Sequence, residues 1–235
     1  MIKNKKSISI GDRLLNIAEM IDSCEVLLDV GTDHALLPIY LLREEIISNA
    51  IAVDICAGPL EQAKRNAQKY NLLSKIDFII SNGLSNVNRD FDYITIAGLG
   101  TNTIVRILEN AKNKLNINCK IVVQSNNSCY LVRKWCVSNG WHVVNEKIIT
   151  ENNLYYEIIK LEYAGVEKLP TYSEIDLLFG PILLRNKSIV LKEKIQKDQE
   201  FLLNLIRNIP RDKISAIKKN TLKYEMNKEA LDILK

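Results

Sequence analysis

The stretch 26–42 constrains the fold of this chain more than any other part of it. Residues 26–30 form a short β-compatible apolar run that ends at Gly31, and after a polar loop the apolar pattern resumes with helical spacing. A second apolar run, 50–53, ends in Asp54. A buried strand, a glycine turn, a helix and an acid at the tip of the next strand are typical of the nucleotide-binding half of a Rossmann-like fold.

Strand and helix patterns then alternate along the chain. The predicted strands are 26–30, 50–54, 76–80, 92–97 and 120–124, and the predicted helices begin near Asp12 and cover 36–46, 59–70, 102–115 and 129–139. Such alternation favours right-handed βαβ units and a parallel sheet. Two final β runs, 141–149 and 154–162, are joined by a polar turn and should form an antiparallel hairpin at one edge. We therefore predict an α/β fold with the Rossmann-like sheet of class I methyltransferases, mostly parallel with an antiparallel last strand.

The composition changes after Gly165. Apolar residues then follow a seam spaced by threes and fours, interrupted at Ser188 and Asp198, and a similar spacing continues beyond Pro210. The first part of the seam contains Leu184, Leu191, Ile195, Leu202, Leu205 and Ile209. We predict a domain at 1–165 and a helical coiled-coil-like domain at 166–235, built from two long antiparallel helices. The helices could instead fold back as layers on the sheet.

Charge and composition narrow the class of protein. The net charge of +4 lies in the tail, because 1–164 hold 18 Lys+Arg and 18 Asp+Glu, whereas 165–235 hold 14 and 10. This favours an anionic partner for the tail about as much as an ordinary solvated lysine-rich surface. No apolar run approaches the roughly 20 residues of a membrane span. Five cysteines without a C-x-x-C pair and only two histidines predict a cytoplasmic protein with reduced thiols and no metal site.

The strand ends carry the candidate cofactor site. Gly31 allows close approach of a ligand to the backbone, and the absence of further loop glycines favours a cofactor without a pyrophosphate over NAD. Asp54 lies 25 residues after Asp29, where a carboxylate can accept hydrogen bonds from both ribose hydroxyls. Its alternative role is that of a helix cap. Asn82 ends the third strand and could bind an adenine edge, or could simply form an Asn-Gly turn.

The fourth and fifth strand ends suggest the substrate side. Gly98 and Gly100 leave room for the substrate or for the methyl group of the cofactor beside the backbone. Gln124 and Asn126 could offer amides to a base edge, although amide-rich loops are common without function. Asp33 could orient the nucleophile or stabilise positive charge, or could be a loop acid that binds its own backbone. We expect His34 to orient the loop rather than act as a general base.

These residues resemble one family, the bacterial tRNA (adenine-22-N1)-methyltransferases (TrmK). The similar blocks run in order from about Arg13 to the helix after Pro181. They are Asp29-Val30-Gly31-Thr32-Asp33-His34-Ala35 with Leu37-Pro38, Ala57-Gly58-Pro59-Leu60, Asn82-Gly83-Leu84, Ile96-Ala97-Gly98-Leu99-Gly100, Gln124-Ser125-Asn126, Asn139-Gly140-Trp141, Tyr156-Glu157-Ile158-Ile159 and Leu178-Phe179-Gly180-Pro181. Family members usually have Met-Gly-Gly at 99–101, Gln-Pro-Asn at 124–126 and an acid at 82.

The resemblance implies an S-adenosyl-L-methionine cofactor, a C-terminal coiled-coil domain and methylation of N1 of an adenine in the tRNA D-arm. The implied catalytic residues are Asp33, Gln124 and Asn126. The implied cofactor-binding residues are Asp29, Gly31, Asp33, His34, Asp54, Ile55, Asn82, Gly83, Leu84, Ala97, Gly98 and Leu99. The partner is tRNA, with phosphates contacted by basic helices that have too few aromatics to stack bases. No membrane or metal is expected, the oligomeric state stays open, and we favour a monomer.

Two alternatives compete with this prediction. One is a methyltransferase for another RNA or for a small molecule. The other is a non-catalytic RNA-binding protein on the same scaffold, which the departures at Asn82, Thr101 and Ser125 suggest. The presence of Gly31, Asp33 and Asp54 favours the enzyme.

Overall fold

The computed structural model describes residues 8–235 and contains one seven-stranded sheet of order β3-β2-β1-β4-β5-β7-β6. The strands are β1 (Cys24–Val30), β2 (Ile47–Asp54), β3 (Ile76–Ile80), β4 (Tyr93–Leu99), β5 (Lys120–Ser125), β6 (Trp141–Glu151) and β7 (Leu154–Tyr163). Strands β1 to β5 pair in parallel, and β7 pairs antiparallel with both β5 and β6. The predicted mostly parallel sheet with a terminal antiparallel hairpin is confirmed.

Nine α-helices accompany the sheet in the described part of the chain. They are α1 (Asp12–Ala18), α2 (Leu36–Arg43), α3 (Ala57–Lys69), α4 (Thr101–Ala111), α5 (Tyr130–Ser138), α6 (Glu174–Phe179), α7 (Pro181–Arg185), α8 (Ile189–Asn208) and α9 (Ile214–Ile233). Leu27 and Leu28 of β1 pack into two different apolar cores, as the alternation of side chains along a strand requires. The core that contains Leu27 holds residues of α1 to α3, and the core that contains Leu28 holds residues of α4 and α5. Both faces of the sheet are therefore covered by helices.

The first of the two predicted long helices does not cover the whole apolar seam that begins at Leu184. The Ser188 hydroxyl accepts a hydrogen bond from the Leu191 N–H and caps a new helix, so Leu184 lies on α7 and not on the long helix. Helices α8 and α9 pack against each other as predicted. Within α8 the buried seam is shorter than the sequence pattern predicts, because Leu205 is 37% exposed.

A buried ion cluster joins the C-terminal helices to the sheet. Arg133 of α5 is 1% exposed, and its guanidinium donates to Glu146 of β6 at 2.7 Å and to Glu157 of β7 at 2.8 Å. Glu146 also accepts a hydrogen bond from the backbone N–H of Ile182, at the start of α7. The Arg133 guanidinium donates to the carbonyl of Leu177 in α6 as well. The cluster therefore fixes α6 and α7 against the edge hairpin.

Candidate active site

A cavity of about 380 Å³ lies at the carboxyl edge of the sheet, above β1, β2 and β4. The connections from β1 and from β4 leave the sheet on opposite sides there, which is where ligands bind in open α/β sheets. The volume is within the range of small-molecule sites. The residues that line it are Arg13, Leu14, Asp29, Gly31, Thr32, Asp33, His34, Leu36, Leu37, Asp54, Ala97, Gly98 and Leu99.

The loop between β1 and α2 forms one wall of the cavity. Gly31, Asp33 and Ala35 all have positive φ, at 75°, 51° and 53°, a conformation that glycine adopts freely and other residues only at a cost. The side-chain amide of Asn66 in α3 holds the loop by donating to the His34 carbonyl at 3.0 Å. The loop is therefore fixed in an uncommon conformation, which is typical of ligand-binding segments.

Asp29 supplies a buried carboxylate beneath this loop. It accepts hydrogen bonds from the hydroxyl of Thr32, at 2.7 Å, and from the hydroxyl of Thr95. Burial raises the pKa of Asp29, while the two threonine hydrogen bonds act in the opposite direction. The carboxylate is thus held rigidly at the cavity floor by neutral donors, with no cation of the described chain bonded to it.

Asp54 stands at the end of β2 and combines two roles. Its Oδ1 accepts a hydrogen bond from the Cys56 N–H, two residues along the chain, at 3.0 Å, which orders the turn before α3. The alternative role of a helix cap is wrong, because the N-cap of α3 is Cys56 and no side-chain cap hydrogen bond is made there. The side chain also lines the cavity, and its Oδ2 atom accepts no hydrogen bond from residues 8–235. This is the arrangement in which a carboxylate binds the hydroxyls of a ribose.

Arg13 of α1 reaches the cavity from the other side, and sequence reasoning did not include it in the site. Its Nη1 donates to the Gln124 Oε1 at 2.6 Å, and the guanidinium lies 5.7 Å from the ring centroid of Tyr156. Glu151 accepts a hydrogen bond from the Arg13 backbone N–H at 3.2 Å. The cavity therefore presents a positioned cation as well as the carboxylates of Asp29 and Asp54, so it can bind a ligand that carries charges of both signs.

The end of β4 is a bulge held by the side-chain amides of Gln124, on β5, and Asn126, which directly follows β5. Pairing of β4 with β5 shifts between Ala97 and Leu99, and Gly98 has φ +73°. The Gly98 N–H donates to the Gln124 Oε1 at 3.0 Å, and the Gly98 carbonyl accepts from the Asn126 side-chain amide at 2.7 Å. Gln124 is fully buried and also donates to Asn126, so its amide acts by positioning the bulge.

Asp33 and His34 are exposed side chains of the cavity wall. Their side chains are 69% and 48% exposed, and the His34 Nε2 lies 3.6 Å from an Asp33 oxygen. Because the Asp33 carboxylate accepts no hydrogen bond from the loop backbone in the described structure, it is available to a substrate that approaches from solvent.

The structure does not bring every predicted site residue to this cavity. Ile55 is 65% exposed and does not line it. Asn82, Gly83 and Leu84 follow β3, which is the edge strand, and line a separate crevice of about 30 Å³ beside α4. Leu84 is buried in the core behind that crevice.

Sequence reasoning also left out Thr32 and the apolar residues of α1 and α2 that line the cavity. Thr32 belongs to the same loop as Gly31, so its hydroxyl three residues after Asp29 was an available signal. Among residues 8–235, no cluster of His, Cys, Asp and Glu could hold a metal ion, and no helix is long and apolar enough to cross a membrane. All five cysteines are free thiols.

Comparison with known proteins identifies the family. The family model described as TrmK, tRNA (adenine(22)-N(1))-methyltransferase, matches residues 27–231. The tRNA (adenine(22)-N(1))-methyltransferase of Bacillus subtilis strain 168 is 32% identical over 96% of this chain and 98% of its own length.

Solved structures agree with this match. A putative tRNA (m1A22) methyltransferase of Streptococcus pneumoniae in complex with S-adenosyl-L-methionine is 33% identical, covers 95% of this chain and 100% of its own, and has a TM-score of 0.86. TrmK of M. capricolum in complex with S-adenosyl-homocysteine is 28% identical, covers 96% and 99%, and has a TM-score of 0.84. The chain belongs to the TrmK family of tRNA (adenine-22-N1)-methyltransferases.

Proposed function

We propose that this chain transfers the methyl group of S-adenosyl-L-methionine to N1 of adenine 22 in tRNA, with the cofactor in the cavity above β1, β2 and β4. The observation that carries this proposal is the arrangement of Asp29, Asp54 and Arg13 around one glycine loop at the switch point of the sheet. These charges suit a cofactor that has a ribose at one end and an amino-acid group at the other.

The cofactor-binding roles follow from the position of each charge. Asp54 accepts hydrogen bonds from the two ribose hydroxyls through the oxygen that Cys56 does not occupy. Asp29 attracts the ammonium group of the methionine moiety, and Arg13 binds its carboxylate. Gly31 and Gly98 leave their backbone open to the ligand, together with Ala97 and Leu99.

The substrate roles lie at the ends of β4 and β5 and in the loop after β1. The bound cofactor supplies an electrophilic methyl group on a sulfonium. Adenine N1 has a free lone pair, so no base is required before attack, and alignment supplies much of the catalysis. Asp33 orients the adenine or stabilises the cation that forms, and Asn126 assists. Gln124 serves this function through the Gly98 bulge and Asn126, since its own amide atoms are bonded to them.

The tRNA spans both parts of the chain. We assign methyl transfer to residues 1–165 and tRNA contact to residues 166–235, whose excess of cations suits a phosphate backbone. Lys218 and Lys219 on α9 are both exposed and lie on this surface. We place the enzyme in the cytoplasm and expect it to act as a monomer, which sedimentation of the purified protein tests.

The decisive experiment is methyl transfer from labelled S-adenosyl-L-methionine to unmodified tRNA, followed by nucleoside analysis and mapping of the product. We expect 1-methyladenosine at position 22. The matched control is the same tRNA with guanine at position 22, which should accept no label. Absence of 1-methyladenosine at saturating cofactor would overturn the proposal, and label at other RNAs or metabolites would redirect it.

The role of the tail has its own test. Replacing Lys218 and Lys219 with glutamine should weaken tRNA binding. It should also make the fall of the log binding constant with log salt concentration less steep by up to about 2, because each lost phosphate contact contributes about 0.7–0.9 to that slope. The control is the same replacement at Lys69 and Lys75, near the β3 edge of the sheet. Equal binding by both variants would remove the tail from the tRNA interface.

A further inference from the structure

We propose that a trench beside the cofactor cavity binds nucleotides of the tRNA that lose their pairing when the target adenine is extruded, and that Tyr130 and Phe201 are the rings on which their bases stack. The trench consists of two adjoining cavities, one at the ends of β4 and β5 and one under the α8–α9 pair. This inference rests on the proposed function, because it takes tRNA as the substrate.

The first cavity has a volume of about 660 Å³ and is lined by Gly100, Asn127 and Tyr130, among others. Gly100 directly follows Leu99, which lines the cofactor cavity. The first cavity therefore opens beside the edge at which the target base must meet the cofactor. N1 lies on the Watson–Crick edge of adenine, so the base has to leave its pairing to be reached, and its neighbours are unstacked in turn.

The second cavity has a volume of about 370 Å³ and lies between α6 and the α8–α9 pair. Ser128 and Leu178 line both cavities, which makes the trench continuous from the strand ends to the helices. Phe201 of α8 and Met226 of α9 also line this cavity. The trench thus leads from the reacting edge to the part of the chain that carries the excess positive charge.

Tyr130 is a fixed ring in the wall of the first cavity. Its hydroxyl donates to the Glu174 Oε1 at 2.6 Å, and the ammonium group of Lys134 lies 5.3 Å from the ring centroid. These two contacts hold the ring while it still lines the cavity. An aromatic ring held in place beside a cation is the arrangement that nucleic-acid-binding proteins use for unpaired bases.

Phe201 is an aromatic ring that the packing of α8 does not use. It is 66% exposed, whereas the buried residues of that helix are Leu191, Ile195 and Leu202. The sequence predicted that the tail contacts phosphates and does not stack bases. We revise that prediction, because the ring of Phe201 lines the trench.

The charges at this end favour a nucleic acid over a protein partner. Lys223 lines the cavity and forms no ion pair with any residue in 8–235. Lys194 lines it too and is bonded to Asp198 at 2.8 Å. The two carboxylates of the lining, Asp198 and Glu157, are each paired with a cation, to Lys194 and Arg133 respectively. A lysine without an ion pair among residues 8–235 and an exposed ring that line one cavity suit one phosphate and one base.

The test measures tRNA binding by Phe201→Ala and Tyr130→Ala with full-length protein. Each variant should weaken tRNA affinity about tenfold or more, since a base–aromatic stack is lost, while S-adenosyl-L-methionine affinity stays at the wild-type value. Tyr130→Phe keeps the ring and should bind tRNA nearly as well as wild type. The matched control is Leu222→Ala, which removes an apolar side chain of α9 that is 60% exposed, close to the value for Phe201, and that does not line the trench.

A second measurement reports stacking directly. Unmodified tRNA with 2-aminopurine beside position 22 should lose fluorescence on binding to the wild-type protein and keep it with Phe201→Ala or Tyr130→Ala. Phe201 is exposed, so its truncation leaves the fold intact, and thermal melting checks this. Wild-type affinity in both alanine variants overturns the inference and leaves the trench to a protein partner. Failure of the wild-type protein to methylate tRNA would instead overturn the proposed function.

Discussion

Replacing Arg133 with methionine should lower the free energy of unfolding by about 3–5 kcal/mol, the usual cost of removing one partner from a buried ion pair. Arg133 is 1% exposed and bonds to Glu146 and Glu157, so its loss changes the net charge of the cluster from −1 to −2 inside the protein. This is a large part of the stability of an ordinary domain, about 5–15 kcal/mol.

The two carboxylates should not share this cost equally. Glu146 keeps the hydrogen bonds from the backbone N–H groups of Ile182 and Leu183 when the guanidinium is gone. The side chain of Glu157 is 8% exposed and loses the one hydrogen bond that its carboxylate makes within the described residues. We therefore expect Glu157 to dominate the penalty.

The assay is urea unfolding followed by far-UV circular dichroism at pH 7. The control is the triple variant Arg133→Met, Glu146→Gln and Glu157→Gln, which removes the arginine without leaving buried charge and should recover most of the loss. Lys134→Met, at the exposed neighbouring position of α5, should change stability by no more than about 0.5 kcal/mol. A triple variant as unstable as the single one would refute the argument, since the loss would then come from packing.

Three further predictions concern single carboxylates. Asp54→Ala should raise the Kd for S-adenosyl-L-methionine at least tenfold in calorimetry, because hydrogen bonds to a charged group contribute about 1.5–3 kcal/mol each; an unchanged Kd would exclude ribose binding. Asp33→Ala should lower kcat at saturating cofactor, and full turnover would remove Asp33 from the mechanism. Hydrogen bonds from Lys120 and Lys160 lower the pKa of Asp22. Its stabilisation is therefore present above the unfolded pKa, near 4, and lost as the pH falls further. Asp22→Asn should flatten that acid dependence in urea unfolding, and an unaltered pH profile would contradict it.

Local patterns in the sequence were sufficient to locate the site residues that lie at the ends of adjacent strands. Gly31 directly follows β1 and Asp54 ends β2, and parallel pairing of the two strands brings both residues to one edge. Gly98 ends β4, which pairs with β1 on its other side. Strand period, a glycine and a terminal acid are short-range features, so these positions could be located before the structure was known.

Other positions depend on contacts that no local pattern records. Arg13 bonds to Gln124, 111 residues away, and only the packing of α1 at the sheet edge brings it to the cavity. Asn82 follows a strand end in the same way as Asp54, yet β3 is the outer strand and its loop faces α4 instead. The break at Ser188 was visible as an interruption of the seam, but a capping serine and a tolerated polar residue look alike in sequence.

Two departures from the family pattern explain each other. Thr101 stands where the family usually has glycine and Ser125 where it usually has proline, and their hydroxyls lie 2.7 Å apart. Both side chains are buried, and within residues 8–235 the Ser125 hydroxyl has only Thr101 as an acceptor for its proton. The Thr101 hydroxyl also donates to the Ser128 carbonyl, and the Ser125 hydroxyl accepts from the Asn127 N–H. A proline fixes a loop through its ring, and here the hydroxyl pair fixes the same loop through hydrogen bonds. Because that loop begins the trench and carries Asn126, the two substitutions preserve the substrate edge as a pair, which weighs against a scaffold that has lost its catalytic function.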